Sequence, residues 1–302
     1  MSISSVIRRI GRGVKGASDL SQEEAQLVFQ KILSKEVSQI ELGAFCIAMR
    51  MKGETALELA GFMDAVSGQM KPLHRADQSS RTIVLPSYNG SRKNTNLTPL
   101  LAMQLTKLGF LVIVQGVRSD PDRVTTFEIF QQLDWPILVD LSSQTIVDQT
   151  LPYFLPLASV CPALQEVLDI RRQLGLRNSG HVLAKLINPA PNNAWQIVNY
   201  THPEYPKILE QYFAIRPSHL VLMRGHEGEP TCSLTRLPEM IFFKDGGQVS
   251  KTEEFRFADA QNLSGLDVSS HVELMRRVIH GQEKMPDAVI KQAELLSIHC
   301  VQ

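Results

Sequence analysis

The chain has 302 residues, in which 31 lysines and arginines balance 31 aspartates and glutamates, with 43% hydrophobic and 21% charged residues. That balance excludes a disordered chain and a histone-like polycation, and it leaves apolar mass for one large domain or two unequal ones. No run approaches the ~20 apolar residues that span a bilayer. The basic N-terminal stretch has no apolar segment behind it, so no signal peptide is expected. Cys46, Cys161, Cys232 and Cys300 lie far apart with no CxxC or Cys/His spacing, and read as reduced thiols in a cytoplasm.

The N-terminal 20 residues carry four cations and one anion, and Arg8, Arg9, Arg12 and Lys15 form either a phosphate-contacting arm or a flexible solvated one. Residues 21–70 read as three amphipathic helices. The capping boxes Ser21/Glu24 and Ser38/Glu41 open the first two, residues 54–66 form the third, and Lys71-Pro72 stops it. From residue 81 the texture changes. Strand 82–85, helix 97–108 and strand 110–114 follow one another with short turns, the mark of a mostly parallel sheet. Helix 125–133, strand 137–140, helices 162–174 and 178–187, strand 195–198, helix 204–214, strand 219–223 and a last helix 287–298 continue it. The expected fold class is α/β. A small all-helical domain (1–72) precedes a larger domain (73–302) with a central, mostly parallel sheet flanked by helices.

Charge is uneven despite the zero total. Residues 71–123 hold eight cations and three anions, 165–190 hold four and two, and 124–164 hold four anions alone. A basic face on a neutral protein points to a phosphate-bearing partner, and the alternative is cations scattered over solvated surface. No GxSxG, GxGxxG or GxxxxGK[ST] loop occurs, and the eight histidines lack HxxxH spacing, so common nucleophile and nucleotide sites are excluded.

Two strings carry a resemblance. The first runs from Pro86 through Ser87, Tyr88, Asn89, Gly90, Ser91, Arg92 and Lys93 to Asn96, Leu97, Thr98 and Pro99. The second runs from Arg177 through Asn178, Ser179, Gly180 and His181 to Leu183, Ala184, Lys185 and Leu186, and leads to Asn188-Pro189-Ala190. With them the chain resembles the anthranilate phosphoribosyltransferase group (glycosyltransferase family 3, shared with nucleoside phosphorylase II enzymes) over nearly its whole length. It is most similar to the TrpD2/YbiB-like nucleic-acid-binding branch. The resemblance implies the phosphoribosyltransferase class-IV fold and a homodimer formed through the helical module.

The enzymes' own motifs are eroded. Their first phosphate loop, Gly-Thr-Gly-Gly-Asp, lets bare glycine amides reach a diphosphate. Here Pro86–Gly90 replaces it, and Pro86 lacks an amide donor. The Lys-His-Gly-Asn-Arg motif keeps only Gly116 and Arg118, and Asp120 and Asp122 stand where phosphate would need donors. The Asp-Glu pair that holds Mg²⁺ becomes Pro230 and Thr231, with Glu227 and Glu229 nearby as candidate substitutes. Asn89, Gly90, Asn96, Thr98, Gly116 and Arg118 are the residual anion or substrate site that the resemblance implies. Arg171 matches the arginine that grips the anthranilate carboxylate. No catalytic residue and no metal ligand is assigned. No cofactor is expected either, Mg²⁺ entering only with a transferase activity.

What replaces this apparatus is basic. Arg177, His181 and Lys185 are spaced i, i+4, i+8 and form one stripe if a single helix carries them. Arg171 and Arg172 enter from the preceding turn, and Arg92 and Lys93 lie on the remodelled loop. Tyr88 either stacks on a base or packs against the turn. These seven basic residues make the expected surface for single- and double-stranded nucleic acid, with no membrane partner. Two readings stand. One is a non-catalytic, sequence-independent nucleic-acid-binding homodimer; the other is a transferase with a divergent substrate. On the first, His181 charges only as pH falls towards ~6.5, so binding should tighten between pH 8 and 6, and Glu at positions 177 and 185 together should abolish it.

Overall fold

The computed structural model describes residues 2–13, 15–71, 73–75, 81–142, 145–146, 149–190, 194–258, 263 and 266–300. The helical module is α1 (Ile3–Ile10), α2 (Gln22–Leu33), α3 (Gln39–Lys52) and α4 (Ala56–Ser67). Helices α2, α3 and α4 each open on a complete capping box, at Ser21/Glu24, Ser38/Glu41 and Thr55/Glu58. The N-terminal residues are not a free arm. Ser2 caps α1, which buries Ile3, Val6 and Ile10, while Arg9 is tied to Glu24 and to the Asp19 carbonyl. Arg8 and Arg12 remain outward. Pro72, the expected stop after α4, lies outside the described residues.

The larger domain begins with β1 (His74–Arg75), β2 (Thr82–Ser87), α5 (Thr98–Lys107), β3 (Leu111–Gly116) and α6 (Thr126–Gln132). It continues through β4 (Thr145–Ile146), β5 (Tyr153–Pro156), α7 (Leu157–Val160), α8 (Pro162–Asp169), α9 (Arg171–Leu174) and α10 (Gly180–Leu186). Next come β6 (Ala194–Tyr200), α11 (Tyr205–Ile215), β7 (Leu220–Arg224), β8 (Arg236–Leu237), β9 (Met240–Lys244) and β10 (Gly247–Lys251). The last are β11 (Phe255–Arg256), α12 (Val268–Ile279) and α13 (Asp287–His299).

Seven strands form one sheet in the order β10-β9-β7-β6-β2-β3-β5. β7, β6, β2, β3 and β5 are mutually parallel, and β9 and β10 close one edge antiparallel. The inner strands are buried along almost their whole length, as expected for a sheet covered on both faces. β2 and β3 run in register to their C-terminal ends, where Ser87 faces Gly116. Residue 200 at the end of β6 pairs with residue 224 at the end of β7. In open α/β sheets that carboxyl edge is where ligands sit.

Several expected elements differ. Residues 162–174 split into α8 and α9, and Gly175 ends α9 in the left-handed conformation. Strand 137–140 shrinks to one bridge between Ile137 and Phe154. The helix expected at 178–187 begins only at Gly180. One core cluster joins Phe29, Phe45 and Phe62 of the helical module to Ile113, Leu155, Leu183 and Leu222 of the larger domain. A second fills the other face of the sheet under α5, α12 and α13. The module therefore buries its apolar faces partly against the sheet domain rather than only against itself.

Helices α2 and α4 cross at Gly61. A Cβ there would overlap the Gln22 carbonyl and sit 2.8 Å from the Ala25 Cβ. Gly61→Ala should therefore lower unfolding free energy by about 1–3 kcal/mol through overpacking, read by urea titration with an unchanged m-value.

Candidate anion-binding site

The site lies at the carboxyl edge of β2, β3, β6 and β7, where four loops meet. The loop after β2 turns at Asn89 and Gly90 and enters α5 through Asn96. Asn96 is a structural pin. Its Oδ1 accepts from Thr98 N–H at 3.1 Å, its Nδ2 donates to Thr126 Oγ1 at 3.0 Å, and its own N–H donates to His271 Nε2 at 2.9 Å. His271 is thereby held with Nδ1–H on the Asp267 carbonyl and Nε2 as acceptor.

Donors from this loop converge on one carboxylate. Asn89 N–H and Gly90 N–H donate to Glu229 Oε1 at 3.0 and 2.8 Å. Thr98 Oγ1 donates to Glu229 Oε2 at 2.9 Å, and Ser87 Oγ donates to the same oxygen. Glu229 is 2% exposed. It stands at the end of a tight hairpin after β7, His226–Glu229, whose central residues Glu227 and Gly228 both have positive φ (52° and 85°). Glycine is required at 228, because a Cβ would collide with Asn89 Nδ2, which donates to the Glu227 carbonyl at 3.1 Å.

A second carboxylate takes the next set of donors. Arg92 N–H, Lys93 N–H and Asn94 Nδ2 donate to Glu227 at 2.6, 3.0 and 2.6 Å, with the Arg123 guanidinium 3.7 Å away. Partial burial pushes the Glu227 carboxyl up, but these donors outweigh it and hold the group below the usual range. A third pair completes the pattern: Arg171 Nη1 lies 3.3 Å from Asp120 Oδ2. Glu227 and Glu229 are thus not free to replace the missing metal pair. Their oxygens are taken by N–H and O–H donors, and among the described residues no cluster of His, Cys, Asp or Glu could hold a metal.

The basic residues do not form one helical stripe. Arg177 lies ahead of α10, whose N-cap is Ser179, and Asn178 Oδ1 accepts from the Gly180 N–H at 3.0 Å in the turn before it. Arg177, His181 and Lys185 nevertheless line one cavity of about 110 Å³ together with Arg50, Glu54 and Asn199. Lys185 is not a surface cation. Its ammonium donates to Asn199 Oδ1 at 2.7 Å and to the Gly228 carbonyl at 3.1 Å. Burial pulls its pKa down to about 8, with Glu229 opposing and Arg177 assisting. Burial, then Arg177 and Arg171, push His181 down to about 3, so it stays neutral from pH 8 to 6 and cannot supply the pH response expected of it. Burial, then Arg171 and Arg123, also lower Arg177.

The remaining candidates scatter around this centre. The Arg92 and Lys93 side chains point outward, and Arg172 is exposed and lines a separate pocket with Arg171, Asp120 and His181. Arg118 is exposed and lies over the Phe127 ring at 5.7 Å. Gly116 ends β3 against Ser87. Tyr88 is packed inside, not presented for stacking: it is buried, and its hydroxyl has no partner among the described residues. Ser87, Arg50, Asn199 and Glu229's role as acceptor were not legible from spacing; the one available signal was two glutamates in the turn that faces a donor-rich loop.

Residues 4–68 match the model of the glycosyl transferase family helical bundle domain. The uncharacterized protein YbiB of Escherichia coli (strain K12) is 36% identical over 292 residues, covering 96% of this chain and 91% of that protein. The chain belongs to the anthranilate phosphoribosyltransferase-like family, glycosyltransferase family 3. Anthranilate phosphoribosyltransferase of Saccharopolyspora erythraea is 25% identical, covering 94% of this chain and 82% of that protein. The crystal structure of the Thermus thermophilus enzyme superposes with a TM-score of 0.71 at 21% identity, over 99% of this chain and 93% of that one. The Saccharomyces cerevisiae enzyme in complex with PRPP and Mg superposes with a TM-score of 0.73 at 15% identity, over 99% and 88%. The fold is that of this family, as the sequence implied.

Both buried bases leave a stability signature. Between about pH 6.5 and 3 the unfolded chain protonates His181 and the folded chain does not, so stability falls as pH drops through that window. Between about 8 and 10.5 the unfolded chain keeps the Lys185 proton that the folded chain loses, so stability rises with pH there. Melting temperatures from pH 4 to 10 should show a shallower acid limb in His181→Gln and a flatter alkaline limb in Lys185→Met.

Proposed function

We propose that this chain is a non-catalytic, sequence-independent nucleic-acid-binding homodimer of the cytoplasm on a degenerate anthranilate phosphoribosyltransferase fold. The observation that carries the reading is a group of like charges left unpaired. Arg50, Arg172 and Arg177 have no carboxylate within 4 Å among the described residues, while the acids of the old site are engaged by Arg171 and by backbone amides. Burial first, and then repulsion from Arg171, Arg123 and Arg50 against the opposing pull of Asp120, lowers the Arg177 pKa, and an anionic partner offsets that repulsion. Phosphate contacts supply most non-specific affinity and need no base readout. Arg92 and Lys93 extend the positive surface along the loop after β2.

Exposed apolar residues on α3 support self-association. Ile40 is 86% and Met51 63% exposed, with Ile47 between them on the same side. A two-fold dimer through this helix duplicates each basic cavity. Ile40→Glu with Met51→Glu should convert the dimer to a folded monomer in sedimentation equilibrium.

For binding itself, Arg172→Ala with Arg177→Ala should flatten the slope of log affinity against log salt on duplex DNA. The change is about 0.9 for each phosphate no longer neutralised, or roughly 3–4 units for a dimer deprived of two cations per subunit. Lys185 is not used in this test, since glutamate there would bury a carboxylate beside Glu229. An unchanged slope in the double variant would sink the assignment. The alternative, a phosphoribosyltransferase, rests on the named activity of the relatives and on Mg²⁺. Incubation with phosphoribosyl diphosphate and anthranilate, read by loss of anthranilate fluorescence, separates the two, and Mg²⁺-dependent turnover would overturn the first reading.

A further inference from the structure

Lys185 carries an amine that the fold holds inside a cavity without pairing it to an acid. Its Nζ donates to Asn199 Oδ1 at 2.7 Å and to the Gly228 carbonyl at 3.1 Å, and has a third donor to spare. Both acceptors are neutral, and among the described residues no carboxylate lies within 4 Å of the nitrogen. An ammonium desolvated in this way gives up its proton easily: burial, with Glu229 opposing and Arg177 assisting, brings it to about 8. Near pH ~7.5 about a quarter of the chains then hold the free amine, against about a thousandth for an ordinary lysine at ~10.4. A desolvated lysine amine of this kind is the nucleophile that adds to carbonyl compounds.

The lining around this amine comes from three separate parts of the chain. Arg50 and Glu54 belong to the helical module, Arg177 and His181 to the α10 region, and Tyr200 and Tyr205 to the end of β6 and the start of α11, around a space of about 110 Å³. A space of that order takes a ligand of about six heavy atoms or fewer. Asn199 lines it too. That residue is 3% exposed and its Nδ2 has no partner among the described residues, so a buried donor is left over for an oxygen that enters. Glu54 accepts from Ser179 Oγ at 2.6 Å, and burial raises its carboxyl. His181 is held neutral, and His202 is an exposed part of the lining. Arg50 and Arg177 remain as cations with no ion pair among the described residues.

We propose that this cavity captures short aldehydes that carry an anionic group: Lys185 Nζ forms an imine with the aldehyde carbon, Asn199 Nδ2 donates to the carbonyl oxygen, and Arg177 with Arg50 holds the anion. The lone pair of the free amine adds to the carbonyl carbon, the π pair moves to oxygen, and one amine proton follows it to give a carbinolamine. That oxygen then leaves as water with the second amine proton, and a C=N bond remains. Nothing is oxidised or reduced, and water reverses the reaction. The chemistry is separate from nucleic-acid binding, and its test contains no nucleic acid.

The experiment treats the full-length chain with glyoxylate, an aldehyde bearing a carboxylate, or with neutral glycolaldehyde, then reduces any imine with borohydride and maps the modified lysines by peptide mass spectrometry. Lys185 should take glyoxylate at least about tenfold faster than any other lysine near pH ~7.5, because its free amine is so much more abundant. Its initial rate should level off above about pH 8–9, whereas an ordinary lysine keeps gaining up to ~10.4. Arg177→Ala should lower the ratio of glyoxylate to glycolaldehyde labelling at Lys185 by roughly tenfold, the weight of one charge-assisted contact. Taking the ratio cancels any change in the amine itself. Lys185→Met, checked for folding by circular dichroism, should lose the fast phase. If that variant does not fold, the peptide map and pH profile of the parent decide alone. Label spread over the surface lysines, a Lys185 rate that still climbs beyond pH 9, a fast phase that survives Lys185→Met, or an unchanged ratio in Arg177→Ala would each overturn the proposal.

Discussion

The buried Glu229 carboxylate is the contact around which the site is organised. A charged group at 2% exposure is tolerated only when every oxygen is met by a donor, and here four donors from the β2 loop and the start of α5 meet two oxygens. The contact spans some 140 residues of sequence and ties the turn after β7 to the turn after β2. It fixes the direction of the Asn89–Gly90 turn and brings Glu227 to the amides of Arg92 and Lys93. The same hairpin then supplies the carbonyl on which the Lys185 ammonium rests.

That arrangement shapes the local charge. Asp120, Glu227 and Glu229 are held by Arg171, by backbone amides and by hydroxyls, and Asp120 and Glu229 act on Arg177 and Lys185 only from beyond ion-pair distance. Arg50, Arg172 and Arg177 are left without ion pairs among the described residues on a chain whose formal charge is zero. Burial and this local field act together on the two bases of α10. His181 is held neutral, while Lys185, brought to about 8, stays mostly protonated at neutral pH.

Much of the fold was legible because its signals are local. Capping boxes at Ser21 and Ser38 place α2 and α3 to the residue, since the cap, the third position and the apolar stripe lie within one or two turns. The alternation of buried strands and helices was equally plain over β2, α5 and β3 and again over β6, α11 and β7, whereas β5 (Tyr153–Pro156) was not read. Misses arose where neighbours far along the chain decide the outcome. Residues 137–140 have strand-like composition, yet they form a single bridge, Ile137 to Phe154, and no ladder. The hairpin β9–β10 went unread although Asp245-Gly246, both at positive φ, is a strong turn signal. The 162–174 helix is interrupted at Ile170, and Gly175 then ends α9 in the left-handed conformation ahead of Arg177 and α10.

The sequence by itself determined the helical module and the strand–helix–strand units around β2–β3 and β6–β7. Those are properties of residue type at a position, and short-range chemistry settles them. Only the tertiary structure decided that Glu229 and Glu227 accept from the donors of the loop after β2, that Asp120 pairs with Arg171, and that Lys185 is held in a cavity instead of lying on a surface. Each depends on which groups meet across 40 to 140 residues, and a carboxylate's role as ligand, pair or plug is set by the donors that reach it and the water that does not.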